Sequence, residues 1–327
     1  MSPASNSIPS DKKALQDIRS LVVVTVLVLL MRSILYQLTG TLLSRFNQLL
    51  QQADALPILP ILTQVSAGLV KLFSLGIPLA MLYIMLRNTF SPRDFLHRLK
   101  ETDSPQALPI ALGVLTVGTL LTDISSNFLD FLHIKLLKSE ILIPDGFFPL
   151  LLFLTHYLLL TPILEEFLFR GAVLHIFRRH GDLFALILSA LFYAMTEESY
   201  TGFFSVFLFG LVAGYFVLHS HSVFIGILMH IFRNAISVLL SMLTASLDAD
   251  TAAVTQITLF AFILALSLFS FLRLGKKEKD VFSVDENAVG ADLTLSVRFK
   301  VALCNPAFIL FAVIFLYRLI PLIQIYR

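Results

Sequence analysis

Inside the apolar stretch "TPILEEFLFRGAVL" stand two adjacent carboxylates and, four residues after the second, an arginine: Glu165, Glu166 and Arg170. An ionisable side chain costs about 2.5–3.5 kcal/mol at the centre of a membrane helix, so three together call for a reason. On a helix Glu166 and Arg170 are i, i+4 and can pair across one turn. That leaves Glu165, turned about 100° away on the helix, as a spare carboxylate able to take a proton from water. A second constellation, "HIFRN", puts His230 and Asn234 on one helix face at i, i+4. An asparagine amide can hold a developing oxyanion, and an imidazole can donate to the same oxygen or move a proton. Either set alone would serve equally well as a pin between helices. The spare carboxylate is what tips the reading toward chemistry.

The elements that position these residues are set by composition. The chain has 327 residues and is 57% hydrophobic with 14% charged residues, where a soluble domain averages about 45–50% apolar and about 25% charged. Apolar runs of the length that about 30 Å of hydrocarbon demands of a helix recur along it. The expected fold class is all-α, a polytopic transmembrane bundle of about nine spans. They fall near 20–42, 65–87, 107–130, 148–170, 183–199, 201–219, 222–246, 252–273 and 301–325. A membrane β-barrel would need alternating segments of roughly ten residues, which this sequence lacks.

Placing the N-terminus inside puts Lys12, Lys13, Arg19, Arg178, Arg179, Arg273, Lys276, Arg298 and Lys300 in the cytoplasm, with Arg45, Lys135, Lys138 and Arg327 outside, as the positive-inside rule asks. His230 then lies about 12 Å and Glu165 roughly 20 Å from the inner ends of oppositely running helices, near enough in depth to share a wet pocket. Basic residues are spread over many loops, so no nucleic-acid partner is expected. Cys304 is the single cysteine, which excludes an intrachain disulfide, and no CxxC or HExxH pattern marks a metal site. Gly210 and Gly214 form a GxxxG pair suited to close helix packing.

EExxxR followed by HxxxN in this context resembles the CPBP family, the intramembrane glutamate proteases of the type II CAAX-prenyl endopeptidase and bacteriocin-processing, Abi-like group. "EEFLFRG", "ILSALFYAM" and "FLFGLVAGYF" are similar to its phrasing, over roughly residues 145–245. The resemblance implies an endopeptidase acting on a membrane-associated peptide or protein, with the lipid bilayer as surroundings and without a cofactor. Glu165 would activate water, His230 and Asn234 would stabilise the oxyanion, and Glu166 and Arg170 would form a structural ion pair. It further implies a middle motif FxxxH, whose histidine would assist the first glutamate. This chain has Phe192 and Thr196 there, and threonine can hydrogen-bond water but not take its proton near neutral pH. Glu197 and Glu198 follow at once.

The expected organisation is a polar tail at 1–19, accessory helices at 20–144, a protease-like core at 145–246 and C-terminal helices at 247–327 with a cytoplasmic loop near 275–300. The expected location is a prokaryotic plasma membrane. Two other readings stay open: a catalytically silent relative serving as a membrane scaffold or immunity factor, and a small-solute transporter using the carboxylates as a proton relay.

Overall fold

The computed structural model describes residues 10–52, 58–86, 96–97, 105–136, 141–197, 200–277, 289, 293–320 and 323–325. Ten helices run through them: α1 (Ser10–Gln52), α2 (Leu59–Leu86), α3 (Ala107–Phe131), α4 (Phe147–Arg178), α5 (Asp182–Met195), α6 (Tyr200–Ser220), α7 (Val223–Thr244), α8 (Ala249–Lys277), α9 (Leu295–Leu303) and α10 (Pro306–Leu319). Seven of them, α1 to α4 and α6 to α8, are long and apolar enough to cross a membrane. The protein is therefore an all-α, polytopic integral membrane protein.

Two of the expected spans take a different form. The segment expected at 183–199 is α5, only 14 residues long. At 1.5 Å per residue it reaches about 21 Å, short of the hydrocarbon thickness of about 30 Å. The segment expected at 301–325 is the pair α9 and α10, bent by 64°. Asn305 caps α10 by accepting from the Ala307 N–H, and Pro306 occupies the first turn, where its missing N–H costs nothing. Counting the bent pair as one span gives up to eight by length and composition. The polar tail expected to reach residue 19 is helical from Ser10. Most of the expected loop near 275–300, and Glu198, lie outside the described residues.

Lipid tails are as apolar as leucine, so these helices are held by close packing rather than by flight from water. Outward faces keep their apolar side chains, such as Leu27, Ile34 and Leu38 on α1 and Ile257, Phe262 and Phe269 on α8. Inward faces bring small residues together. A Cβ at Gly118 of α3 would lie 2.4 Å from Ser205 Cα on α6, and one at Gly210 of α6 would lie 2.9 Å from Ala190 Cβ on α5. Gly214 likewise meets Leu186, so the GxxxG pair seats α6 on α5. α1 packs along α2 and also touches α9 and α10, while α4 lies among α2, α5 and α7.

One end of the bundle is tied by polar contacts. Asp17 of α1 accepts from Arg179 (2.8 Å) and bonds the ring of His180 (2.9 Å) in the α4–α5 turn. Arg298 of α9 donates to the His180 carbonyl, and Asn305 donates to the Arg19 carbonyl at 3.1 Å. At the other end Ile134–Leu136 (β1) pairs antiparallel with Ile323–Ile325 (β2).

Two outcomes follow from this packing. Gly118→Val drives a side chain into the Ser205 backbone, and about 1–3 kcal/mol should be lost, read as a lower thermal midpoint in detergent; an unchanged midpoint would contradict the α3–α6 contact. Burial pushes His180 below its ordinary value, with the Asp17 carboxylate pulling the other way. The neutral ring's contribution is then complete above about pH 6.5 and lost as pH falls through the lower folded value. The thermal midpoint of the wild type should accordingly fall more on acidification than that of His180→Gln, and parallel falls would refute the assignment.

Candidate active site

The geometry starts with the backbone of α4. A six-residue α segment, Thr161–Glu166, is bracketed by π-helical stretches at Thr155–Leu160 and Phe167–Leu174. Such wide turns recur at functional sites because they re-aim side chains. Here the Thr161 N–H reaches back to the His156 carbonyl, and Pro162 has no N–H to offer the next carbonyl, Tyr157. Asn234 of α7 serves it instead, donating from Nδ2 at 2.9 Å. The amide expected to face a reacting oxygen therefore commits one of its hydrogens to closing a gap in α4.

Glu166 is fully buried, and its Oε1 accepts two bonds: from Arg170 Nη1 at 2.9 Å and from His230 Nδ1 at 3.0 Å. The pairing with Arg170 follows the i, i+4 spacing. The Arg170 guanidinium lies 4.4 Å from the centre of the Tyr193 ring and 5.6 Å from that of Phe209, a cation against two aromatic faces. Room for the carboxylate comes from Gly226, one turn before His230, where a Cβ would lie 2.7 Å from Glu166 Oε2.

Glu165 is also buried, at 9% exposure, and it is not without partners as its spacing alone suggested. Tyr193 donates its hydroxyl to Oε2 at 3.0 Å. His230 Nε2 stands 4.0 Å from Oε2 and Arg32 Nη2 stands 4.0 Å from Oε1. Both separations are too long for a direct hydrogen bond and fit two groups sharing one oxygen atom between them. α4 and α7 thus bring Glu165, Glu166, Arg170, His230 and Asn234 into one cluster.

Thr196, the C-cap of α5, is buried, but its hydroxyl donates to the Tyr193 carbonyl at 2.7 Å. Its contribution to the cluster is its own carbonyl, which accepts from Arg32 Nη1 at 3.1 Å. Glu197 packs beside Gly202 and lies within electrostatic reach of Tyr157 and Arg233, and His156 lies against Gln64 at 3.1 Å. Among the described residues no three His, Cys, Asp or Glu side chains are arranged to hold a metal ion.

Three site residues escaped the sequence reading. Tyr193 lies inside the quoted "FYAM", where the attention fell on position 196. Arg32 is a lone cation in an apolar run on α1, with nothing local to mark its partner. Gly226 could be found only by knowing what it faces.

The contacts favour one position for the imidazole hydrogen when Glu166 is ionised. A carboxylate accepts and does not donate, so the bond to Glu166 puts a hydrogen on Nδ1. In the neutral ring Nε2 then carries a lone pair, facing Glu165. With that tautomer Nε2 faces Glu165 as an acceptor, one of the two arrangements open to an imidazole that can either donate to an oxygen or move a proton.

Removing one partner of a buried pair strands the other. Arg170→Met should cost about 3–5 kcal/mol in denaturant unfolding of the detergent-solubilised protein, whereas a wild-type midpoint would show that Glu166 does not depend on it.

No curated protein and no solved structure matches the chain significantly. One family model does, over residues 147–236: the Rce1-like type II CAAX prenyl endopeptidases. Those residues run from the start of α4 to just past Asn234, and over that stretch the chain is similar to that family.

Proposed function

We propose that the protein is a membrane-embedded endopeptidase that hydrolyses a peptide bond of a membrane-associated peptide or protein with water activated by Glu165. The observation that carries this reading is the facing pair Glu165 Oε2 and His230 Nε2, 4.0 Å apart, inside the segment that matches the endopeptidase family. A water placed between them donates one hydrogen to each acceptor, which leaves its oxygen lone pairs turned toward a substrate carbonyl.

The reaction then balances as a general acid–base hydrolysis. Glu165 takes a proton from the water as the oxygen adds to the carbonyl carbon. The tetrahedral intermediate collapses, the C–N bond breaks, and Glu165 returns the proton to the leaving nitrogen. The products are a carboxylic acid and an amine. Tyr193 holds Glu165 at a fixed angle, Glu166 and Arg170 hold His230, and Asn234 directs its second amide hydrogen toward the substrate carbonyl. Thr196 acts through its backbone. No metal or cofactor takes part in this scheme.

The bundle end that gathers Asp17, Arg179, His180 and Arg298 faces the cytoplasm under the positive-inside rule, so substrate enters from the inner leaflet of a plasma membrane. A prenylated C-terminal tail, a bacteriocin or pheromone precursor and a signal-peptide remnant all share what that entrance selects, an apolar anchor next to an extended peptide.

The test is cleavage of a fluorogenic farnesylated peptide by the purified full-length protein in detergent. Glu165→Gln should lower kcat by about 10²–10⁴-fold, the range for a positioned acid–base group. Equal rates from wild type and Glu165→Gln, or no cleavage by either, would remove the peptidase reading and favour a silent scaffold.

A further inference from the structure

As the carbonyl is attacked, its oxygen gains negative charge and needs donors at about 2.7–3.1 Å in a water-poor site. Several hydrogens around Glu165 are committed, although Arg170 Nη2 is without a partner among the described residues and Arg233 and Lys71 lie within electrostatic reach of the carboxylate. The Tyr193 hydroxyl goes to Glu165 and Arg170 Nη1 goes to Glu166. His230 Nε2 has a lone pair where a donor is wanted, because Nδ1 carries the hydrogen bonded to Glu166. Asn234 has given one amide hydrogen to Tyr157.

Arg32 is different. It is 4% exposed on α1 and is held by one bond, from Nη1 to the Thr196 carbonyl. Its Nε has no partner among the described residues, and Nη2 stands 4.0 Å from Glu165 Oε1. In an arginine whose Nη1 lies on the Cδ side, Nε–H and Nη2–H point the same way from the opposite edge, a fork built to hold one anionic group. This fork is buried, unpartnered at Nε among the described residues and beside the carboxylate.

We propose that Arg32 is a catalytic residue: its Nε–Nη2 edge binds the scissile carbonyl oxygen and holds the charge that develops on it. The proposal rests on the peptidase reading and supplies a charged donor in addition to the second amide hydrogen of Asn234. The charge balance favours it. Before reaction the guanidinium faces ionised Glu165. Once Glu165 has taken the water's proton, the negative charge has moved to the carbonyl oxygen a few ångström away, and the same cation faces it with no reorganisation. The site is thereby completed from α1, outside the segment 147–236 that matches the family.

The experiment compares wild type, Arg32→Gln, Arg32→Lys and Arg32→Ala in the full-length protein with the farnesylated peptide. It also measures binding of a peptide in which a phosphinate, a tetrahedral anion, replaces the scissile amide. Arg32→Gln should lose about 10²–10³-fold in kcat, the effect of removing one oxyanion donor, with KM changed little. Arg32→Lys should retain part of the rate, and added guanidinium ion should restore part of the Arg32→Ala rate. The phosphinate should bind Arg32→Gln about 10²-fold more weakly than wild type, while the uncleaved amide peptide, measured on Glu165→Gln with and without Arg32→Gln, binds alike. That last comparison also shows that the variants fold. Cleavage by Arg32→Gln within about threefold of wild type, or equal losses for phosphinate and amide, would overturn the proposal. If wild type does not cleave, the peptidase reading fails, and the phosphinate still decides for Arg32: tighter binding to wild type supports an anion fork, and equal or absent binding ends it.

Discussion

Two carboxylates buried side by side in an apolar bundle must be compensated, and the arrangement of the core follows from that requirement. A buried charge left alone costs several kcal/mol even after relaxation. Glu166 and Glu165 are consecutive on α4, so their side chains leave the helix in different directions and no single partner satisfies both. Arg170 answers Glu166 from the same helix. The nearest other partners come from elsewhere in the fold: His230 on α7, Tyr193 on α5 and Arg32 on α1. Each contact fixes a helix against α4, so one electrostatic demand sets the relative placement of four elements.

The two glutamates are compensated differently, and the proposed chemistry rests on that difference. Glu166 has direct bonds at 2.9 and 3.0 Å and no exposure, as suits a group that holds others in place. Glu165 has one direct bond, from a neutral hydroxyl, and two cationic or basic neighbours set back by 4.0 Å. Each set-back is the separation of two groups that share one bridging oxygen. His230 joins the two halves, since its bond to Glu166 determines which nitrogen faces Glu165.

Local regularity was readable from sequence, and long-range complementarity was not. The apolar runs announced the spans, and the i, i+4 spacing announced the Glu166–Arg170 pair. The sequence argument gave Glu165 only a pocket shared with His230, because Tyr193 and Arg32 become its neighbours only through packing of α5 and α1 against α4. His230 was matched to Glu165 on depth alone, whereas its direct bond, at 3.0 Å, is to Glu166. Thr196 looked like a weakened histidine position. Its hydroxyl closes the end of α5, and its carbonyl anchors a cation from a helix far away in the chain. Pro162 was visible throughout, but its consequence, a carbonyl that needs Asn234, depends on the π-helical register of α4.

The central claim is that Glu165 moves protons for a water and does not itself form a bond to substrate. A single-turnover reaction in water enriched in oxygen-18, with enzyme in excess over the farnesylated peptide, separates the two by mass spectrometry of product and protein. The account predicts one labelled oxygen in the new carboxyl terminus of the product and none in the Glu165 side chain. Label in Glu165 together with an unlabelled product would mean that the carboxylate attacks the peptide itself, and would contradict it.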